Sequence, residues 1–314
     1  MSAVPLVRPK PTSRLTLDMI RRKFEVVLAR GDGPGTAYHH ALYSALAHFL
    51  GEAWLHTHVL YGCPRQGYLS MNPTMVDNEF GFDKAHTQRV LQLAETLFNL
   101  QAVQGLDKRL DLLFSGQIES TMAELDFGMF LRMQGADFRY VPTSGVKGRD
   151  YDVELIYPDG LIACADSKCK IDGSAFSRDG LLSTLKKARK QLPADRPGIA
   201  FVKVPQEWVD RETGNLGLGD DVGDLLDEFF RATERMVLVA LYSRMTTELA
   251  EGTAVYHVCR QFENRHPRFE RAGTWGLFDP ETQVPVWISL NVCLGPMVAA
   301  ASRRVRAVGS PVTT

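Results

Sequence analysis

The chain has 314 residues, of which 45% are hydrophobic and 23% charged, and its formal net charge is −1 at pH 7. This composition excludes a disordered or collagen-like chain and is typical of a globular protein with a sizeable core and two domains. The balanced charge also excludes a general attraction to nucleic acid, so any such binding must come from a local basic patch.

The sequence holds no apolar run of about eighteen residues, the length that predicts a membrane-spanning helix. Its start, "MSAVPLVRPKPTSR", lacks the charged and then apolar layout of a signal peptide. The five cysteines are scattered without a CxxC pair, which is typical of a reducing compartment. We therefore expect a cytoplasmic protein that does not associate with membranes.

The first third of the chain is predicted to be helical. Residues 1 to 14 are Pro-rich and are expected to form a flexible tail. Residues 15 to 115 repeat apolar side chains every three or four positions, as in "TLDMIRRKFEVVLA" and "DKAHTQRVLQLAETLFNLQAV", which predicts an all-helical N-terminal domain. The five histidines between residues 39 and 58 are too widely spaced on their helices to predict a metal site: His39, His40, His48, His56 and His58.

The pattern changes after Gly116. A helix, "IESTMAELDFGMFLRMQG", is followed by a strand, "DFRYVP", by the hairpin "GRDYDVELIYPDGLIACADSKCK", by a basic helix, "LLSTLKKARKQL", and by an apolar strand, "GIAFVKV". The segments "MVLVALYSRMTT", "AVYHVCRQF" and "PVWISLNV" predict further strands. We therefore predict an α/β (α+β) domain over residues 116 to 298 and a flexible tail over residues 299 to 314.

The hairpin brings charged residues from its two ends together. If residues 158 to 160 form a three-residue turn, Asp152 lies directly opposite Asp166. Their Cβ atoms would then be about 4.5 to 5.5 Å apart. Lys168 lies two residues after Asp166 and so points to the same face of the strand. A two-residue turn would shift the register by one and make Asp152 a diagonal neighbour.

Two carboxylates at one position repel, unless one takes up a proton or a divalent cation lies between them. Magnesium prefers oxygen ligands and keeps several waters, which leaves room for a phosphate oxygen and an attacking water. The cation stabilises charge on the phosphoryl group, while a lysine beside it orients or deprotonates the water. These residue types therefore indicate phosphodiester hydrolysis. The alternative is a surface hairpin whose charges only face water.

Asp152, followed fourteen residues later by Asp166-Ser167-Lys168, resembles the PD-(D/E)xK signature of restriction-endonuclease-like nucleases. The order of predicted elements over residues 116 to 205 resembles the layout of that family. The resemblance implies a mixed sheet flanked by helices and an active site that depends on magnesium, or on manganese in its place. It also implies nucleic acid as the substrate, DNA more than RNA, with a role in restriction or defence and a homodimer that cuts both strands.

The resemblance implies metal-binding or catalytic roles for four individual residues. Asp152 and Asp166 resemble the first and second metal-binding acids, and Lys168 resembles the catalytic lysine. The family's helix glutamate corresponds best to Glu124, which would also bind the metal, and Glu119 is its rival.

Neighbouring residues could assist the site or replace one of its members. Arg149 stands near where the family often has a proline, so Asp150 is a substitute ligand if the register is shifted. Lys170, Lys187 and Gln191 are predicted to bind substrate, although basic residues on that helix could also simply face solvent. Two other functions stay open: a non-catalytic nucleic-acid-binding or scaffold protein of the same fold, and an enzyme that acts on small phosphorylated molecules.

Overall fold

The structure is a computed structural model that describes residues 7–60, 67–71, 74–76, 79–81, 84–146, 148–170, 174–210, 213, 216–217, 221–249, 252–277 and 287–309. The chain divides into two compact units. The first unit comprises Met1–Ala102, Arg109–Ile118 and Trp287–Thr314, and the second comprises Val103–Lys108 and Glu119–Val286.

The described residues form helices and strands in the following chain order: α1 (Leu17–Ala29), α2 (Pro34–Leu50), α3 (Glu52–His58), β1 (Thr74–Val76), β2 (Glu79–Gly81), α4 (Lys84–Leu100), α5 (Leu106–Phe114), α6 (Ile118–Met133), β3 (Asp137–Tyr140), β4 (Val153–Ile156), β5 (Ile162–Cys169), α7 (Arg178–Gln191), β6 (Gly198–Lys203), α8 (Asp221–Arg231), β7 (Met236–Leu249), β8 (Gly252–Glu263) and α9 (Leu290–Gly309). A short 3-10 helix covers Gln206–Trp208. None of the described helices is long and apolar enough to cross a membrane.

The first unit differs from an all-helical domain because β1 and β2 pair as an antiparallel hairpin. The sequence "TMVDNEFG" places Asp77 and Asn78, two residue types common in turns, between the two short strands. Residues 1 to 6 of the expected tail lie outside the described residues. Arg8 is buried, and its Nε donates to Asp111 Oδ1 over 2.8 Å, so the chain is already packed at that point.

The end of the chain also differs from its prediction. Within the segment expected to be a strand, "PVWISLNV", the structure has irregular chain at residues 287–289 and the start of α9 at Leu290. The Ser289 hydroxyl accepts a hydrogen bond from the N–H of Val292, the arrangement that begins a helix. Residues 299–309, expected to be a flexible tail, are helical, and their many alanine and arginine residues favour helix.

The second unit is built on a six-stranded mixed sheet with strand order β3-β4-β5-β6-β7-β8. Strands β5, β6 and β7 are parallel, while β3, β4 and β8 run antiparallel to their neighbours. A strand between two parallel neighbours is covered on both faces, which explains the uninterrupted apolar run of β6. This mixed α/β architecture confirms the predicted class at that level.

Helices cover both faces of the sheet. On one face, Leu185 of α7 and Leu225 of α8 pack in the same cluster as Ala200 and Val202 of β6. On the other, Phe201 of β6 stacks on Phe127 of α6 with ring centroids 4.3 Å apart. The candidate site lies in the sheet, between these helical layers, at the hairpin of β4 and β5.

Candidate active site

The hairpin has the predicted three-residue turn. The N–H of Tyr157 donates to the carbonyl of Leu161 over 2.9 Å, and the N–H of Gly160 donates back to Tyr157 over 2.8 Å. Gly160 has a φ of 83°, a left-handed conformation that closes this type of turn and that glycine adopts at little cost. Val153 therefore lies opposite Ala165, and the predicted register is confirmed along β4.

The register changes at Asp152, just before β4 begins. The N–H of Asp152 donates to the carbonyl of Ala165 over 3.0 Å, although Val153 is the register partner of Ala165. In a regular ladder Asp152 would lie opposite Asp166, at a position without hydrogen bonds to β5. The Asp152 carboxylate instead accepts the N–H of Ser167 through Oδ2 over 2.7 Å. The prediction that Asp152 and Asp166 are directly opposite is therefore wrong, because the chain bends away from the regular ladder at this residue.

Asp166 and Lys168 form a buried ion pair on one face of β5. The Lys168 ammonium lies 2.6 Å from Asp166 Oδ2, and the Asp166 side chain is wholly buried while that of Lys168 is 23% exposed. Apart from this ion pair, neither carboxylate oxygen of Asp166 accepts a hydrogen bond within the described part of the chain. A buried carboxylate with so few donors is electrostatically costly, which is typical of a functional position.

Two other acids, Asp152 and Glu124, affect the protonation of Asp166. Burial raises the pKa of Asp166 well above its ordinary value. The negative charge of Asp152 raises this pKa further, the Lys168 ammonium lowers it, and the charge of Glu124 raises it again. The charges of both predicted acidic partners therefore act on Asp166, although Asp152 lies just before β4 and Glu124 lies on α6.

The helix acid whose charge acts on Asp166 is Glu124. It is half-buried in the middle of α6. Glu119, its rival, is exposed in the first turn of the same helix. The two acids are five positions apart, which is more than one helical turn, so their side chains point in different directions.

The donor chemistry suits a divalent cation in part. Carboxylate oxygens are the ligands that magnesium prefers, and Asp166 has an oxygen without a hydrogen bond. Among the residues that the structure describes, however, no group of three or more Asp, Glu, His or Cys side chains is close enough to hold a metal ion. The ammonium of Lys168 supplies the positive charge in the arrangement as it stands.

The residues predicted to bind substrate lie along α7 and the end of β5. Lys170 Nζ donates to the carbonyl of Gly180 over 2.8 Å, and burial together with the charge of Lys187 lowers the Lys170 pKa. Lys187 itself is exposed. Gln191 is engaged within the protein, because its Nε2 donates to the carbonyl of Asp150 over 3.3 Å.

Two further acids of the hairpin have structural partners. The Asp150 carboxylate accepts the N–H groups of Ser144 and Gly145 over 2.7 and 3.0 Å, which orders the loop before β4. Glu154 is buried and accepts from three side chains, Arg139 Nε at 2.6 Å, Tyr151 at 2.8 Å and Arg196 at 2.9 Å. Burial raises the pKa of Glu154, but these donors outweigh it and hold the pKa below its ordinary value.

A second buried ion pair was missed by the sequence reasoning. Lys203 Nζ, at the end of β6, lies 2.5 Å from Oδ2 of the wholly buried Asp126 on α6. Lys203 pairs in the sheet with Cys169, one residue beyond Lys168. This ion pair ties α6, two residues after Glu124, to the strand beside the candidate site. In the sequence, Lys203 stands out only as a lysine at the end of an otherwise apolar strand. That position does not by itself identify its partner.

Comparisons with models of known protein families, with curated proteins and with solved structures find no match to this chain. The function must therefore be argued from the residues and their geometry.

Proposed function

We propose that the second unit is a metal-dependent nuclease of the restriction-endonuclease-like type, which hydrolyses phosphodiester bonds of nucleic acid, of DNA more than of RNA. One observation carries the proposal: a wholly buried carboxylate, Asp166, contacts Lys168 two residues along the same strand and feels the charge of Asp152. Burying acids together is unfavourable for folding, so such a group is more readily explained by chemistry than by stability.

Asp152, Asp166 and, after a movement of its side chain, Glu124 would hold magnesium or manganese. When bound, the cation supplies positive charge that stabilises the phosphoryl oxygens and lowers the pKa of a water. The hydrogen bond from the N–H of Ser167 orients the Asp152 carboxylate toward β5 before any ligand arrives. Such pre-organisation reduces the cost of assembling the site.

Lys168 would act on the substrate rather than on the metal. Its side chain is partly exposed while its ammonium contacts the buried Asp166, so it can reach a phosphate group in solvent without leaving the strand face. A positive charge held there orients the attacking water and stabilises the charge that develops on the phosphate. Lys170 and Lys187, whose charges already influence each other, would contact further phosphates of the strand.

The second candidate function is a non-catalytic nucleic-acid-binding or scaffold protein of the same fold. It is favoured by the finding that the described acidic residues form no group of three able to hold a metal. In this case the ion pair of Asp166 and Lys168 would be a permanent structural contact.

A homodimer on duplex DNA is part of the nuclease proposal, since one active site cuts one strand. A cytoplasmic location and a role in restriction or defence stay predictions of the sequence.

The deciding experiment is cleavage of labelled single-stranded DNA, duplex DNA and RNA by the purified chain in magnesium, in manganese or in EDTA. We expect metal-dependent cleavage that Asp166→Asn and Glu124→Gln abolish. Glu119→Gln is the matched control, because this acid is exposed on the same helix as Glu124. If nothing is cut and a polymer is bound equally by all variants, the scaffold function is the correct one.

A further inference from the structure

The first unit contains a cavity that the proposed nuclease does not use. It has a volume of about 820 Å³ and lies along α1, α2 and α3. Pockets for small organic ligands measure about 300 to 1,000 Å³, so the cavity is large enough for one. All of its lining residues lie between Leu15 and Leu60, within the first unit.

The two ends of the cavity differ in chemistry. Helices α1 and α2 lie antiparallel, since His48 near the end of α2 is 3.2 Å from the carbonyl of Ser13 before α1. The lining at the turn between the helices is polar and cationic, with Arg30, Thr36 and His40. The lining at the opposite end combines the apolar side chains of Leu15, Met19, Leu55 and Leu60 with His48, Glu52 and His56. A ligand that fits both ends is elongated, with an anionic head and a less polar body.

Positive charge in the cavity is uncompensated. Lys23 and Arg30 both line it, and neither forms an ion pair or a side-chain hydrogen bond within the residues that the structure describes. They are seven residues apart, about 10 Å along the axis of a helix. Glu52 is the one carboxylate of the lining and lies on α3, at the end opposite Arg30. A guanidinium and an ammonium so placed can hold a phosphate group.

The walls favour a flat heteroaromatic body. Five ring side chains line the cavity: His39, His40, Tyr43, His48 and His56. Burial, His86 and His40 lower the pKa of His39 to about 4, so its ring is neutral at pH 7 and acts as a hydrogen-bonding surface. An aliphatic chain would strip water from these ring nitrogens without replacing the hydrogen bonds, whereas a nucleobase can stack on the rings and bond to them.

We infer that this cavity binds a nucleotide carrying a terminal phosphate, with the phosphate near Arg30 and Lys23 and the base among the histidine and tyrosine rings. The lining residues all belong to the first unit, and the inference does not depend on the proposed nuclease activity.

The test is calorimetric titration of the full chain, in EDTA, with adenosine monophosphate, adenosine, inorganic phosphate and a saturated fatty acid. We expect one site for adenosine monophosphate and binding about tenfold weaker in Arg30→Gln and in Lys23→Gln, because each loses a charge-assisted contact. Both residues are exposed, so the variants should fold. Arg22→Gln is the matched control, an exposed arginine of α1 outside the cavity, and should bind as the wild type does.

Lys168→Ala distinguishes this cavity from the proposed nuclease site and should leave the binding of adenosine monophosphate intact. Loss of binding in that variant would move the nucleotide to the second unit and overturn the inference. It would also be overturned if adenosine monophosphate does not bind at about 1 mM, if adenosine binds equally well, or if only the fatty acid binds. Cleavage assays do not enter this test, so its failure and that of the nuclease proposal are independent.

Discussion

Asp166 is wholly buried in β5, and its Oδ2 lies 2.6 Å from the ammonium of Lys168, two residues further along the same strand. The pair can play two roles. It can be a permanent structural contact, or it can be the metal-free state of a site in which a cation takes over the neutralisation of Asp166. The two roles differ in how the protein responds to pH, to metal and to substitution.

The stability of the metal-free protein should depend on the protonation of Asp166. Its pKa is raised above the ordinary value of 3.8, so its contribution to stability is fully present below that value and is lost as the pH rises through the raised pKa. In EDTA, the melting temperature of the wild type should therefore fall more steeply with rising pH than that of Asp166→Asn. Thermal unfolding at a series of pH values measures this difference, and parallel curves would contradict it.

Magnesium or manganese should stabilise the protein through the acids of the hairpin. A ligand present at about one hundred times its dissociation constant adds about 2.7 kcal/mol to the unfolding free energy, which for a domain of this size is a shift of several degrees. We expect this shift in the wild type and in Glu119→Gln, and none in Asp166→Asn. An unchanged melting temperature in the wild type would favour the scaffold function.

Lys168→Met should separate catalysis from binding. Without its ammonium the water is neither oriented nor activated, so cleavage should fall by about 10²- to 10⁴-fold, while the affinity for nucleic acid changes little. Single-turnover rates and filter-binding affinities measured on the same substrate test this. Equal losses in both quantities would instead make Lys168 a binding residue only.

Asp150→Ala should reduce stability and leave the chemistry in place. The variant loses two hydrogen bonds to the N–H groups of Ser144 and Gly145, which costs about 1 to 3 kcal/mol in a partly exposed loop. Denaturant unfolding should show this loss, and cleavage below the melting temperature should persist. If cleavage disappears in a folded Asp150→Ala protein, Asp150 is a ligand after all.

The ion pair between Asp126 and Lys203 should be strongly coupled. Lys203→Met removes the ammonium partner of a wholly buried carboxylate, which typically costs about 3 to 5 kcal/mol. Adding Asp126→Asn should recover most of this loss, since the buried charge is then gone as well. A double-mutant cycle of unfolding free energies measures the coupling, and strictly additive losses would show that the pair contributes little.

Local rules were enough to predict the centre of the candidate site. Asp166 and Lys168 share a face because side chains alternate along a strand, and the turn that ends in Gly160 sets the register of β4 and β5. The apolar run "GIAFVKV" likewise predicted the strand β6. These features depend on residues near one another in the chain, so the sequence by itself determined them.

Tertiary structure decided which partners each acid of the hairpin has. Asp152 departs from the ladder because the strand ends there, and Asp150 and Glu154, similar to it in sequence, are taken by loop N–H groups and by surrounding cations. Lys203 on β6 contacts Asp126 on α6, although the two residues are 77 positions apart in the sequence. The contacts of Lys203 with Asp126 and of Arg196 with Glu154 are set by packing between distant segments, and no local spacing in the sequence specifies them.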